Sequence, residues 1–275
     1  MYDITALGEI LIDFTYQGIG RNGQKLFAQN PGGAPANALT SAARFGAKTA
    51  FLGKAGTDMH GRFLKEILEK EQIDTRGFIL DERYFTTLAF VDLSPEGERT
   101  FSFARKPGAD TQITEKELDM EILGNTKIFH VGSLSLTSEP ARSTTFAAIK
   151  AAKSAGAVIS YDPNYRATLW ENVETAKREM KSLIPFVDIM KISDEETELL
   201  TDEKEPEQAA KVLMGKGVKL VAVTLGKDGA YIANAEGGKR VPGFESNVVD
   251  TTGAGDAFWG TFLYKLSQSN ESIEK

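Results

Sequence analysis

The chain has no cysteine in 275 residues. Disulfides, thiolate metal sites and a cysteine nucleophile are therefore excluded. Histidine is almost as scarce. His60 and His130 are the only two, and they lie far apart without an acidic partner pattern, which argues against a metal site built on them. A basic excess is missing too. Lysine and arginine number 32 against 39 acidic residues, a formal net charge of −7, which does not suit nucleic acid or an anionic membrane as the main partner. No apolar run approaches membrane-spanning length. Met1-Tyr-Asp-Ile-Thr lacks the basic-then-apolar pattern of a signal peptide. The expectation is a cytoplasmic globular protein.

What is present is a set of glycine-rich turns feeding helices. Asp250-Thr-Thr-Gly253-Ala254-Gly255-Asp256 runs into an apolar helical pattern at Ala257, Phe258, Phe262, Leu263 and Leu266. The first turn of such a helix offers free N–H groups and partial positive charge to an anion. Asp256 stands in that turn. It reads either as an ordinary capping residue or as a base that takes a proton from whatever meets the bound phosphate. A second junction, Asn30-Pro-Gly32-Gly33-Ala-Pro-Ala-Asn37, opens the helix from Ala38 to Phe45 and places an amide in its first turn. Two such junctions suggest a shared cleft.

Polar residues also close several strand-like runs, where open α/β sheets bind ligands. Asp13 ends Ile4 to Phe14 and reads equally as ligand contact or turn residue. Asp162-Pro-Asn164-Tyr-Arg166 follows Val158 to Tyr161, and Leu225-Gly226-Lys-Asp-Gly229 follows Val218 to Thr224. Ser193-Asp-Glu-Glu196 opens a helix, where acids suit the helix dipole. Strand and helix patterns alternate at βαβ spacing. The exception starts at Gly77, where Phe78 to Leu80, Thr86 to Leu93 and Arg99 to Ala104 read as strands of an antiparallel insertion, with a turn at Pro95-Glu-Gly-Glu98. Thr100 and Ser102 alternate with Phe101 and Phe103, giving this flap two faces, and Arg105 lies at its return. Two motifs mislead. Gly18 to Gly23 matches G-x-G-x-x-G but precedes no helix, and Gly226-Lys227 is followed by Asp228 instead of Ser or Thr.

With those residues in view, the chain resembles the ribokinase-like (PfkB) carbohydrate kinases, and within them the bacterial fructokinases most. Asp250 to Phe258 is similar to the family's C-terminal signature and Pro31 to Ala38 to its N-terminal one. The resemblance implies a single domain over residues 1–275, a three-layer α/β/α fold with a mostly parallel central sheet. It also implies a small antiparallel β lid from segments near 14–30 and 78–106, and a C-terminus shorter than usual for the family. The implied reaction is ATP-dependent phosphorylation of a sugar's primary hydroxyl. D-fructose is preferred, ahead of 2-keto-3-deoxygluconate, ribose or a nucleoside; a non-catalytic sensor is the reading from another class.

The resemblance also implies roles. Asp256 would be the base, and Gly253, Ala254 and Gly255 would donate N–H groups to the transferred phosphoryl. Asp13, Gly32, Gly33, Asn37, Phe103, Arg105, Asn164 and Arg166 would hold the sugar. Ser193, Glu196, Thr224, Gly226 and Gly229 would serve ATP, with Glu196 orienting Mg²⁺ through water and Ser193 standing where the family usually has Asn. Asp250 and Thr252 would hold a monovalent cation such as K⁺. The lid would form a homodimer interface.

Overall fold

The structure, a computed structural model, describes residues 1–93, 99–245, 247 and 251–269. In chain order the elements are β1 (Tyr2–Leu7), β2 (Leu11–Ile19), β3 (Lys25–Gly32), α1 (Ala34–Arg44), β4 (Thr49–Gly56), α2 (Met59–Lys70) and β5 (Phe78–Asp81). Then come β6 (Leu88–Leu93), β7 (Arg99–Ala104), α3 (Met120–Leu123), β8 (Thr126–Val131), α4 (Ala141–Ser154), β9 (Val158–Tyr161) and α5 (Val173–Leu183). The last stretch holds β10 (Ile189–Ser193), α6 (Asp194–Thr201), α7 (Pro206–Gly215), β11 (Leu220–Thr224), β12 (Ala230–Asn234), β13 (Gly237–Val241) and α8 (Ala254–Gln268).

A nine-stranded sheet runs β13-β12-β11-β10-β9-β8-β1-β4-β5. It is parallel from β5 to β11 and antiparallel at β12 and β13. Successive strand residues point to opposite faces, and two cores result. Leu7, Phe129, Met190 and Val221 join the α4, α5 and α7 side. Ile4, Ile128, Ile189 and Ala222 join the α1, α2 and α8 side. Helices thus cover both faces, giving the three layers. Burying each such large apolar side chain contributes about 1.5–3 kcal/mol.

A separate four-stranded sheet runs β3-β2-β6-β7. Each of its hairpins is antiparallel, and the two hairpins meet in parallel at β2 and β6. Two expectations change here. The run from Ile4 to Phe14 is two strands in different sheets, broken at Gly8–Ile10, because the chain must leave the large sheet to start the small one. Phe78 to Leu80 does not belong to the flap; β5 pairs in parallel with β4 at the edge of the large sheet, and Phe78 packs into its core. The turn expected at Pro95–Glu98 lies outside the described residues.

Helices α1 and α8 lie against each other unusually closely. A Cβ at Gly260 would sit 2.0 Å from the Ala38 carbonyl oxygen, so only glycine permits this backbone approach. The Ser41 hydroxyl, from α1, donates to the Ala257 carbonyl at 2.9 Å and shares a 2.9 Å hydrogen bond with Thr261. Trp259 and Leu263 are fully buried beneath.

Candidate active site

Five strands of the large sheet, β1, β8, β9, β10 and β11, end at one edge, and the loops after them converge on a cavity of about 440 Å³. The sheet order switches direction between β1 and β8, the position where open α/β sheets form a crevice. Asp13, Gly33, Asn37 and Phe103 line it from the side of the small sheet and α1, and Asn164 and Arg166 from the loop after β9. Ser193, Glu196, Thr224 and Gly226 line the opposite side, and Thr252, Gly253, Gly255 and Asp256 line the floor.

Asp256 lies in the first turn of α8, after Gly253. It is buried at 8% exposure. Its Oδ2 accepts a hydrogen bond from the Asn37 amide at 2.9 Å and its Oδ1 accepts one from the Asn164 amide at 3.0 Å. Asn164 has φ 47, a left-handed backbone that asparagine tolerates better than most residues. A helix N-terminus ordinarily favours the carboxylate. Here burial pushes the Asp256 carboxyl above its usual range and the Asp162 carboxylate adds to this, while Asn37, Lys191 and Arg166 pull it down. The outcome is a desolvated carboxyl held by two amides, with its remaining lone pairs turned to the cavity. That is the build of a general base.

Asp13 shares this character. Burial lifts it to about 6, with Arg166 opposing and Asp256 reinforcing. Gly33 brings the second glycine turn into place: its φ is 111, and a Cβ there would lie 2.4 Å from the Glu9 carbonyl oxygen. Glu196 lines the cavity with both carboxyl oxygens already engaged. Oε1 accepts from the Tyr165 N–H at 2.7 Å and Oε2 from the Ser193 N–H at 2.8 Å. Ser193 and Glu196 form a capping box for α6. Each oxygen thus keeps a lone pair beyond its backbone bond.

Several expected residues lie elsewhere. Arg105 does not line the cavity. Its guanidinium is buried and tied to Asp110 at 2.6 Å, to the Thr137 hydroxyl at 2.8 Å and to the Leu134 carbonyl at 3.0 Å. Its role is to brace the return of β7. Gly32 sits behind Asp13, where a Cβ would strike the carboxylate at 2.1 Å. Gly229 shapes the turn after β11 against Val241, and Ala254 is exposed at the start of α8. Asp250 lies outside the described residues. Among those described, no three acidic or histidine side chains converge as a metal cluster.

Two buried ionisable residues of the cavity lining escaped the sequence reading. Glu9 is 2% exposed. Its Oε1 accepts from the Ala34 N–H at 2.9 Å, and burial lifts its carboxyl to about 7. The available signal was an acid inside an apolar run. Lys191 is buried, and its ammonium donates to Asp162 Oδ2 at 2.7 Å. Nothing local marks it, because its environment comes from the pairing of β9 with β10.

The sequence and fold have close counterparts. The model of the pfkB family carbohydrate kinase family matches residues 1–275. The chain is 42% identical over 274 residues to probable fructokinase-5 of Arabidopsis thaliana, covering 98% of this chain and 85% of that relative. Fructokinase from Xylella fastidiosa with bound ATP superposes with a TM-score of 0.91 at 32% identity, covering 99% of this chain and 84% of that one. Fructokinase from Vibrio cholerae O395 in its fructose, ADP and calcium ion bound form gives 0.89 at 34% identity, covering 98% and 86%.

Proposed function

Since the chain belongs to the pfkB family of carbohydrate kinases, we propose that it transfers the γ-phosphoryl group of ATP to the primary hydroxyl of D-fructose, giving fructose 6-phosphate. The observation that carries this reading is the position of Asp256. A buried carboxylate with a raised proton affinity stands at the N-terminal turn of α8, where an anion would bind, and two amides fix its direction.

In this reading the sugar lies between Asp13, Asn37 and Arg166, with its primary hydroxyl at Asp256. Asp256 takes the hydroxyl proton as the oxygen attacks phosphorus, which contributes about 10²–10⁴-fold. Backbone N–H groups from Gly253 to Gly255 face the charge on the transferred phosphoryl. Thr224 and Gly226 suit the nucleotide, since both line the cavity after β11 and Gly226 is exposed there. Magnesium, carried by the nucleotide phosphates, would supply charge neutralisation when bound. Glu196 would reach it only through water. The Asp250 and Thr252 pair is retained as the proposed monovalent-cation site.

A neutral sugar is favoured over a sugar acid such as 2-keto-3-deoxygluconate. Arg105 is committed to Asp110, Thr137 and Leu134, so Arg166 alone of the two expected arginines lines the cavity. The test is ADP release with fructose, 2-keto-3-deoxygluconate, ribose and adenosine. Fructose is expected to give the highest kcat/KM, and turnover of the acid without turnover of fructose overturns the assignment. We also propose a homodimer through the small sheet, acting as the lid. Ile19, Leu26, Phe27 and Phe90 leave apolar surface exposed on it. No described helix is long and apolar enough to cross a membrane, and the proposed location is the cytoplasm.

A further inference from the structure

We propose that Lys191 is a charge-holding positioning residue: its ammonium, anchored by Asp162, offsets the carboxylates around Asp256 so that Asp256 stands ionised when ligands exclude water. The inference rests on the kinase reading for its purpose, though not for its measurement.

Lys191 is the third residue of β10 and points to the cavity floor. Its side chain is 7% exposed and its Nζ lies 2.7 Å from Asp162 Oδ2. A Cβ built on Gly255 would lie 3.1 Å from that Nζ. The ammonium therefore abuts the turn that carries Asp256. Asp162, after β9, is in contact with it, and the charges of Glu196 in α6 and Asp256 in α8 act on it from two further elements. Asp256 in turn faces Asp162, Lys191 and Arg166, and it couples to Asp13 from β2. Arg166 is solvent-exposed and donates to the Tyr165 carbonyl at 3.0 Å, so water screens it. Lys191 is the buried cation of the group.

Three largely buried carboxyls, Asp162, Glu196 and Asp256, thus share the field of one buried ammonium. Without it, the least costly response is for a carboxylate to take up a proton. Asp256 already has a raised proton affinity from burial and from Asp162, with Lys191 acting against both. It is also the group whose protonation stops the reaction. Stability is a poor reason to keep this pair, since apolar replacements of buried ion pairs are often neutral or better.

The test compares Lys191→Met, Lys191→Arg, Asp162→Asn and the double variant Asp162→Asn/Lys191→Met. Three measurements are made on each: the pH dependence of ADP release, sugar KM, and a ¹³C NMR titration of the Asp256 carboxyl in the sugar-free protein. Lys191→Met is expected to move the acid limb up by about one pH unit, or about tenfold in activity at a fixed pH on that limb. Rate is regained at higher pH and sugar KM stays near wild type. Lys191→Arg keeps the limb in place. The double variant returns it toward wild type, because the repelling charge leaves with the lysine. If Lys191→Met melts early, Lys191→Met in the Asp162→Asn background carries the comparison and is expected to raise the limb relative to Asp162→Asn alone. An unmoved Asp256 titration, or a loss that high pH fails to rescue, overturns the proposal. Because the titration needs no sugar, a failed substrate assignment would leave it readable.

Discussion

The β2 and α1 side of the cavity carries buried carboxyls, and the β11 corner of the opposite side carries an exposed glycine and a half-buried threonine beside the buried Glu196. On the side of β2 and α1, Asp13 and Asn37 are partly or mostly withdrawn from water, Glu9 is fully buried behind them, and the carboxyls are lifted to about 6 at Asp13 and about 7 at Glu9. On the side of β11, Gly226 is exposed and Thr224 half-buried. The Thr224 hydroxyl makes only a long 3.4 Å bond to the Ile192 carbonyl. The difference suits the ligands proposed for each side. A neutral sugar is told apart by directional hydrogen bonds, and buried polar groups make a missing partner costly. A triphosphate is recognised by charge, for which peptide N–H groups and a helix terminus suffice.

The contrast breaks most sharply at Asp256, which belongs to both sides. Asp256→Asn keeps the shape and the two amide neighbours but removes the base. Turnover is expected to fall about 10²–10⁴-fold, with the sugar dissociation constant little changed by calorimetry. Wild-type turnover in that variant would refute the mechanism.

Glu9 sharpens the comparison on the buried side. Its folded value of about 7 exceeds the ordinary 4.5, so the native state holds a proton that the unfolded chain has released. Its contribution is fully present below about pH 4.5 and is lost as pH rises through about 7. The loss is on the order of 3 kcal/mol. Urea unfolding of Glu9→Gln at pH 5 and pH 8 is expected to show that much less pH dependence than wild type. An unchanged slope would remove Glu9 from the account.

The smallest effect is expected on the open side. Thr224→Ala removes a hydroxyl with a weak internal bond, so the ATP KM should rise by less than about tenfold. Fructose kinetics should not change. A larger rise would mean that side-chain recognition matters there as well.

Most of the site was legible in the sequence because it lies in loops with glycine, asparagine and aspartate at strand ends. Asp13, Asn37, Asn164 and Asp256 all reach the cavity. What was hidden depends on pairing between distant segments. Lys191 reads as an ordinary strand lysine until β10 is set beside β9 and Asp162. Arg105 reads as a free cation until Asp110 and Thr137 close on it. Phe78 to Leu80 carries no mark of which sheet it will join, since either sheet would accept a short apolar strand. The seat of α5 likewise depends on Ala176, Met180 and Leu183 meeting a core that local sequence does not display.

The backbone contact of Ala38 with Gly260 has a consequence for how the cleft can move. Asn37 is one residue from that contact, and Asp256 is one helical turn from it. The two helices are pinned there by glycine, by Ser41 and by the Asn37–Asp256 bond itself. They form a common datum, so closure of the proposed lid would change the enclosure of the sugar without changing the setting of Asp256 against α1. The setting of Asp256 against α1 is then a property of the resting molecule, and the proposed closure would only have to expel water.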